Sequence, residues 1–278
     1  MTRLLQLSDP HIVPEGQLAY GVVDTAAALA DAVDTINRDL HLYGPVDLAI
    51  VTGDLTDFGS PEEYARFRNI MDGLPIPYRV IPGNHDLREN LRQAFSEDGW
   101  MPDSGPIVWS VDLPDFGVVA LDTLVEGQHH GLLDDRAVRF LVDALEAFNG
   151  KPVLVATHHP PFATGIIPMD VNNLRNGSLL RDILDAYAGE TRLICGHVHR
   201  SVTTVYGSSV AMIAPGVSHS VTLDQREENP HTLSLEPGGF MLHEWRNGLV
   251  SHTVAARFPA DRHPFSSPEE KPEGASRA

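Results

Sequence analysis

Residues 193–200, LICGHVHR, carry an apolar run into Gly196 and then into two imidazoles one residue apart, His197 and His199. Histidines so placed are either turn residues or metal ligands, and the choice depends on partners elsewhere in the chain. Four other apolar runs end in similar chemistry. RLLQLSD leads into Asp9-Pro10-His11, and DLAIVTGD ends in Gly53-Asp54. YRVIPGN continues through Gly83-Asn84-His85-Asp86, and PVLVATHH ends in His158-His159-Pro160-Pro161. Aspartate oxygen, asparagine oxygen and imidazole nitrogen suit borderline divalent cations such as Mn, Fe and Zn. Such a set exceeds what one ion can take and suits two ions if one carboxylate bridges them. Gly53, Gly83 and Gly196 stand beside the donors, where a residue without Cβ permits a sharp turn and close backbone approach.

The elements that must position these donors read as strands alternating with helices. Val22, Ala26, Leu29, Val33, Ile36 and Leu40 recur every three or four residues, which marks an amphipathic helix. SPEEYARFRNIM opens with Ser60 as N-cap, Pro61 at the first helical position and Glu63 three residues past the cap. Strand, helix, strand, helix, strand is the order of an α/β sheet with right-handed crossovers. Ligands collect beyond the carboxyl ends of such strands, so five strands would deliver their Asp, Asn and His residues to one edge. Further along, IVWSVDL and FGVVALDT read as adjacent strands with Asp115 near their turn. Asp134 is placed to cap a helix carrying Ala137, Phe140, Leu141, Ala144 and Phe148, and LLRDILDAY reads as another helix. VTTVYG with SSVAMIAPG, and GGFMLHEWRNG with LVSHTVAAR, read as hairpins, the second turning at Asn247-Gly248. Residues 1–258 show no repeat or linker and are expected to form one domain. Residues 259–278, rich in Pro, Ser, Glu and Lys, are expected to be a disordered tail.

Composition narrows the function classes. A chain of 278 residues can bury a sizeable core. Its formal charge of −18 repels a phosphate backbone, so long nucleic acid is not an expected partner. The single cysteine, Cys195, excludes an intrachain disulfide and fits a reducing compartment. No apolar run approaches the roughly 20 residues needed to span a bilayer. LLQL meets Ser8-Asp9 before the apolar region of a signal peptide can develop. The expectation is a cytoplasmic protein without a membrane partner.

In their order along the chain, DPH, GDLTD, GNHD, THHPP and GHVH resemble the five blocks of the calcineurin-like metallophosphoesterase family. The likeness runs from Asp9 to His199 and is closest to the class III cyclic nucleotide phosphodiesterases and bacterial glycerophosphodiesterases. MDVNNLRNG and PGVSHS add to it, less specifically. The resemblance implies an α/β/β/α sandwich of two mixed sheets flanked by helices. It implies one metal held by Asp9, His11 and His199, and another held by Asn84, His158 and His197, with Asp54 bridging. The two divalent ions would be Fe, Mn or Zn. His85 is similar to the family histidine that faces the substrate phosphate without binding metal, Asn84 is a further candidate on the substrate side, and His219 would either support a ligand from behind or lie on the substrate side. Of the adjacent pair, His158 is the expected ligand, because the family's HHPP block uses its first histidine and neighbouring strand side chains point to opposite faces. Purple acid phosphatases of the wider family have a tyrosine ligand three residues after the bridging aspartate; Asp57 stands here, which counts against a permanently oxidised iron site. The resemblance also suggests a dimer or dimer-based assembly, with the strand-rich C-terminal segment as a place for the contact.

The implied activity is hydrolysis of a small phosphodiester, a cyclic nucleotide such as cAMP or a glycerophosphodiester. Two metals sharing a water lower its pKa and make hydroxide available near neutral pH for in-line attack on phosphorus. His85 would stabilise developing charge or protonate the leaving alkoxide. Asp86 and Asp122 either orient imidazoles or organise turns. A noncatalytic metal-binding scaffold, a nuclease and a phosphomonoesterase are the competing readings; a full set of costly buried polar groups counts against the scaffold. Cys195 reads as a packed small hydrophobe. His129 and His130 read as exposed loop residues, with substrate contact as the second reading. Arg200 could meet a phosphate or sit on the surface, and residues 240–245 read as core or subunit interface.

Overall fold

The computed structural model describes residues 1–264. The chain begins β1 (Arg3–Leu7), α1 (Thr25–Tyr43), β2 (Leu48–Thr52), α2 (Pro61–Met71), β3 (Tyr78–Ile81) and α3 (Arg88–Ala94). It continues β4 (Trp109–Asp112), β5 (Gly117–Ala120), α4 (Asp135–Phe148), β6 (Val153–Ala156), α5 (Ile167–Asp170), α6 (Gly177–Ala186) and β7 (Thr191–Cys195). The last strands are β8 (Val202–Tyr206), β9 (Ser209–Ile213), β10 (Ser220–Val221), β11 (Leu233–Ser234), β12 (Gly239–Trp245) and β13 (Leu249–Ala255).

Two mixed sheets result. One runs β13-β12-β1-β2-β3, the other β4-β5-β6-β7-β9-β8, and β10 pairs with β11 in a separate ribbon. The parallel strands are β1, β2 and β3, at one side of the first sheet, and β5, β6, β7 and β9, in the centre of the second. Side-chain alternation along these strands explains the layers. Leu4, Leu48, Ile50 and Ile81 meet Val118, Ala120, Leu154, Ala156 and Ile194 between the sheets. Their neighbours Leu5, Leu7, Ala49 and Val51 point outward onto Leu29 and Ile36 of α1 and Phe67 of α2. On the far side Val153, Val155 and Leu193 lie under Leu141 and Leu145 of α4 and Leu180 and Leu184 of α6. Helices cover both outer faces, giving the α/β/β/α sandwich.

Local chemistry sets the helix starts. The side chain of Ser60 accepts from the Glu63 N–H while Glu63 reaches back to the Ser60 N–H, closing a capping box on α2. Asp134 accepts from the N–H groups of Arg136 and Ala137 and starts α4. Asp24 caps α1, so Val22 lies outside that helix and is exposed. The β12–β13 hairpin pairs Trp245 with Leu249, so its loop holds Arg246, Asn247 and Gly248 instead of a two-residue Asn-Gly turn. Residues 240–244 are buried in the first sheet, which makes them core. The short elements α3, α5, β10 and β11 had no periodic signal long enough to announce them.

Residues 259–264 are exposed and carry no regular secondary structure, although Arg262 pairs with Asp39 at 2.8 Å. The rest of the expected tail, 265–278, lies outside the described residues. Among the described residues no helix is long and apolar enough to cross a membrane.

Candidate metal centre

The five donor blocks sit where β1, β2, β3, β6 and β7 end. Their turns are tied to one another. The Asp9 N–H donates to the Gly53 carbonyl at 3.2 Å, the His11 N–H to the Asp54 carbonyl at 2.9 Å, and the Gly196 N–H to the His158 carbonyl at 3.0 Å. Asp9, His11, Asp54, His197 and His199 all adopt left-handed backbone, with φ of 54°, 47°, 49°, 73° and 52°. Such conformations cost about 1–3 kcal/mol each in non-glycine residues and persist where the surroundings over-determine them. Two glycines make the close approach possible. A Cβ on Gly53 would collide with the His158 imidazole, and one on Gly83 would collide with the Asp54 carboxylate.

The seven donors expected as ligands converge. Asp54 Oδ2 lies 3.4 Å from His11 Nε2 and 3.4 Å from His158 Nε2, between the two groups. Its other oxygen accepts from the His85 N–H at 2.9 Å. On one side His11 Nε2 faces His199 Nε2 at 3.1 Å, and Asp9 Oδ1 is 3.4 Å from the same His199 nitrogen. On the other side Asn84 Oδ1 lies 3.2 Å from His158 Nε2, and the His158 and His197 rings are 5.1 Å apart. Outer contacts choose which nitrogen points inward. His158 Nδ1 is 2.8 Å from the Thr52 carbonyl, His11 Nδ1 is 3.1 Å from Asp57 Oδ1, and His199 Nδ1 is 3.1 Å from His219 Nε2.

Charge and burial are in conflict here, as expected of a site shaped for cations. Burial raises Asp9 to about 6, with repulsion from Asp54 adding to it. Burial also opposes charge on Asp54, yet His158, His85 and His11 around it hold its carboxyl well below the ordinary range. Burial works against a proton on His158, but Asp54 and Asp9 raise it to about 9. Burial pushes His197 down to about 3, and His158 adds to the effect. His197 Nε2 is buried with no hydrogen-bond partner. A neutral imidazole with a bare, buried nitrogen aimed among carboxylate and imidazole donors fits a divalent cation on chemical grounds.

His159 is set apart from the donors by its own hydrogen bonds and not by strand alternation. β6 ends at Ala156, so the two histidines lie in a turn, and ring nitrogens of His158, His159 and His197 can come within 4.8 Å of one another. Both nitrogens of His159 are instead occupied, Nδ1 by Thr123 Oγ1 at 2.8 Å and Nε2 by the His129 carbonyl at 3.2 Å.

Asp86 and Asp122 touch no imidazole. Asp86 accepts from the N–H groups of Gly83 and Leu55 and from the Tyr64 hydroxyl, tying two donor turns together. Asp122 pairs with Arg88 and accepts from the N–H groups of Ile107 and Leu124. The carboxylate that does hold imidazoles is Asp57. Its Oδ1 is 3.1 Å from His11 Nδ1, and its carbonyl accepts from His85 Nδ1 at 3.0 Å. The sequence signal was its place three residues after Asp54. Arg200 faces no cavity at the centre; it binds the Val221 carbonyl and Glu236. Cys195 is buried and burial pushes its thiol up to about 12, consistent with packing alone.

Above the donors opens a cavity of about 410 Å3. His85 and His219 line it as expected, and exposed His129 does too, whereas His130 does not. Tyr20, Asn172 and His231 contribute from three further loops.

Known proteins resemble the chain in sequence and in fold. The chain is 38% identical over 253 residues to a probable glycerophosphodiester phosphodiesterase of Arcobacter nitrofigilis, covering 90% of this chain and 92% of the relative. It is 32% identical to a 3′,5′-cyclic adenosine monophosphate phosphodiesterase of Pseudomonas aeruginosa, covering 85% and 86%. In fold it is similar to a dimetal phosphatase from Danio rerio, with TM-score 0.65, 15% identity and coverage of 92% of this chain and 96% of that one. The family model for calcineurin-like phosphoesterases matches residues 2–201, a span that takes in every donor block, and the chain belongs to that family.

Proposed function

We propose that the protein is a dinuclear-metal phosphodiesterase that hydrolyses small diesters, either cyclic nucleotides or glycerophosphodiesters. The observation that carries this is the convergence of seven donors in two groups about Asp54 at the floor of a cavity of about 410 Å3, a volume suited to one small ligand. Asp9, His11 and His199 would hold one ion, Asn84, His158 and His197 the other, and Asp54 both. The ions, when bound, acidify water and neutralise phosphate charge. Iron, manganese and zinc are the metals matching these donors.

The chain's own residues do the rest. His85 is held through Nδ1 by the Asp57 carbonyl, which leaves Nε2 for the substrate. Because Nδ1 keeps its hydrogen on that carbonyl, it is as the doubly protonated imidazolium that His85 would carry a proton on Nε2 and give it to the leaving oxygen, returning to the neutral ring. Asp57 and Thr52 keep His11 and His158 in the tautomer that turns Nε2 inward. The relatives' named activities on glycerophosphodiesters and cyclic adenosine monophosphate support a small diester as substrate. A cytoplasmic location, a dimeric assembly and a catalytic domain spanning residues 1–258 complete the reading.

Metal analysis with a turnover panel tests it. Purified protein, stripped by chelator and reloaded with Mn, should regain hydrolysis of 3′,5′-cAMP, 2′,3′-cAMP or a glycerophosphodiester, and favour diesters over a phosphomonoester. Metal-independent turnover, or preference for the monoester, would overturn the proposal.

A further inference from the structure

One polar element at the cavity remains outside the chemistry above. Residues 220–234 form a hairpin, β10 to β11, that reaches over the donors and brings His231, Thr232 and Leu233 to the cavity wall. It is fixed at three places. At its base Arg200, the residue after His199, donates to the Val221 carbonyl at 3.0 Å and pairs with Glu236 at 2.5 Å. Along its side Leu233 packs on Val13, Ala19 and Val23 of the loop that carries Tyr20. At its tip Gln225 Nε2 donates to the Thr164 carbonyl at 3.5 Å.

His231 is held in an unfavourable backbone state within this hairpin. Its φ is 52°, and its N–H donates to Asn229 Oδ1 at 2.7 Å. Among the described residues its imidazole has no hydrogen-bond or ion-pair partner. A left-handed residue whose side chain lines a ligand cavity is a candidate for function. The rest of the wall narrows what it could bind. Among the described residues no lysine or arginine lines the cavity. The candidate cations would balance one phosphate, and nothing in the wall balances a second. Tyr20, Asn172 and Thr232 instead supply uncharged hydrogen-bonding groups to the same cavity.

We propose that His231 is a specificity-determining residue that hydrogen-bonds a hydroxyl on the alcohol half of a singly phosphorylated diester. Arg200 is a positioning residue that acts through the hairpin. This rests on the phosphodiesterase reading and adds the class of alcohol to it. His231 is exposed in the free protein, and a residue that hydrogen-bonds a substrate hydroxyl discriminates against analogues lacking that hydroxyl.

The test compares a hydroxyl-bearing diester, glycerophosphoethanolamine or 3′,5′-cAMP, with bis(p-nitrophenyl) phosphate, which has no hydroxyl. His231→Ala should raise KM for the hydroxyl-bearing diester about tenfold or more and lose at least fivefold less kcat/KM on the aryl diester. His231→Asn tolerates left-handed backbone but has a shorter reach, so the same selective loss would assign the effect to the imidazole. His231→Gln should restore part of it. Arg200→Leu should raise KM for the same substrate with metal content intact. Equal losses on both substrates, or none, would overturn the proposal, as would a parent enzyme that cleaves the aryl diester and neither hydroxyl-bearing one. A parent that cleaves no diester would overturn the phosphodiesterase reading itself.

Discussion

Asp57 Oδ1 lies 3.1 Å from His11 Nδ1, on the side of the ring opposite the nitrogen that faces His199 and Asp54. The carboxylate therefore sets the tautomer of a candidate ligand without itself pointing at the donor cluster. Outer partners of this kind typically affect metal affinity by about 10–100-fold. Asp57→Ala should weaken binding of the ion that His11 would hold to that extent, and Asp57→Asn, which keeps an oxygen acceptor, should be milder. Competition with a chelating dye reads the affinity directly; identical affinities in all three proteins would remove the role.

Asp54 stands equidistant from His11 and His158. Asp54→Ala should abolish turnover and lower metal content while the chain stays soluble, because the substitution removes a donor and adds no bulk. Elemental analysis of the purified variant decides it: two full equivalents of metal would sink the bridging assignment.

His85 binds Asp57 through Nδ1 and lines the cavity. His85→Ala should keep both ions and lose turnover by about 10²–10⁴-fold on diesters with alkoxide leaving groups. Nitrophenyl diesters should suffer less, since nitrophenolate departs without a proton. Were the two losses equal, charge stabilisation would be its only part; loss of metal would make it a ligand.

A fourth expectation concerns stability. His243 lies on β12, where burial, with help from Arg192 and His252, lowers its pKa from 6.5 to about 3. The neutral ring fits its surroundings, with Gln6 Oε1 3.0 Å from Nε2 and Ser251 Oγ 2.8 Å from Nδ1. The unfolded chain takes up a proton near pH 6.5 that the folded chain refuses until about 3. Stability from this group is thus full above pH 6.5 and falls as pH drops towards 3, by an amount on the order of a few kcal/mol. Denaturant midpoints between pH 8 and pH 4 should fall less steeply in His243→Gln than in the parent, and parallel profiles would contradict the prediction.

Much of this was legible in the sequence because it is local. Strands with donors at their carboxyl ends, the Ser60 and Asp134 caps and the glycines beside the donors each follow from a few neighbouring residues. Three features were not, each for a physical reason. Asp57 is marked in the sequence only as standing where a related family has tyrosine, and its contact with His11, 46 residues away, is made by the fold. The choice between His158 and His159 depends on Thr123 and the His129 carbonyl, which no spacing rule reveals. The placement of His231 over the centre depends on Arg200 and Glu236, whose pairing spans 36 residues.

The donors come from both sheets. Asp9, His11, Asp54 and Asn84 follow strands of the first, whereas His158, His197 and His199 follow strands of the second. Each candidate ion would draw ligands from the two halves and so act as a clasp across the seam at one rim of the sandwich. At the opposite rim the layers are joined by apolar packing, by the Thr2 N–H donating to Asp115 at 2.7 Å and by the Leu249 N–H donating to Glu190 at 3.4 Å. Demetallation should therefore loosen the molecule unevenly, with hydrogen exchange accelerating at the carboxyl ends of the strands while their amino-terminal halves stay protected.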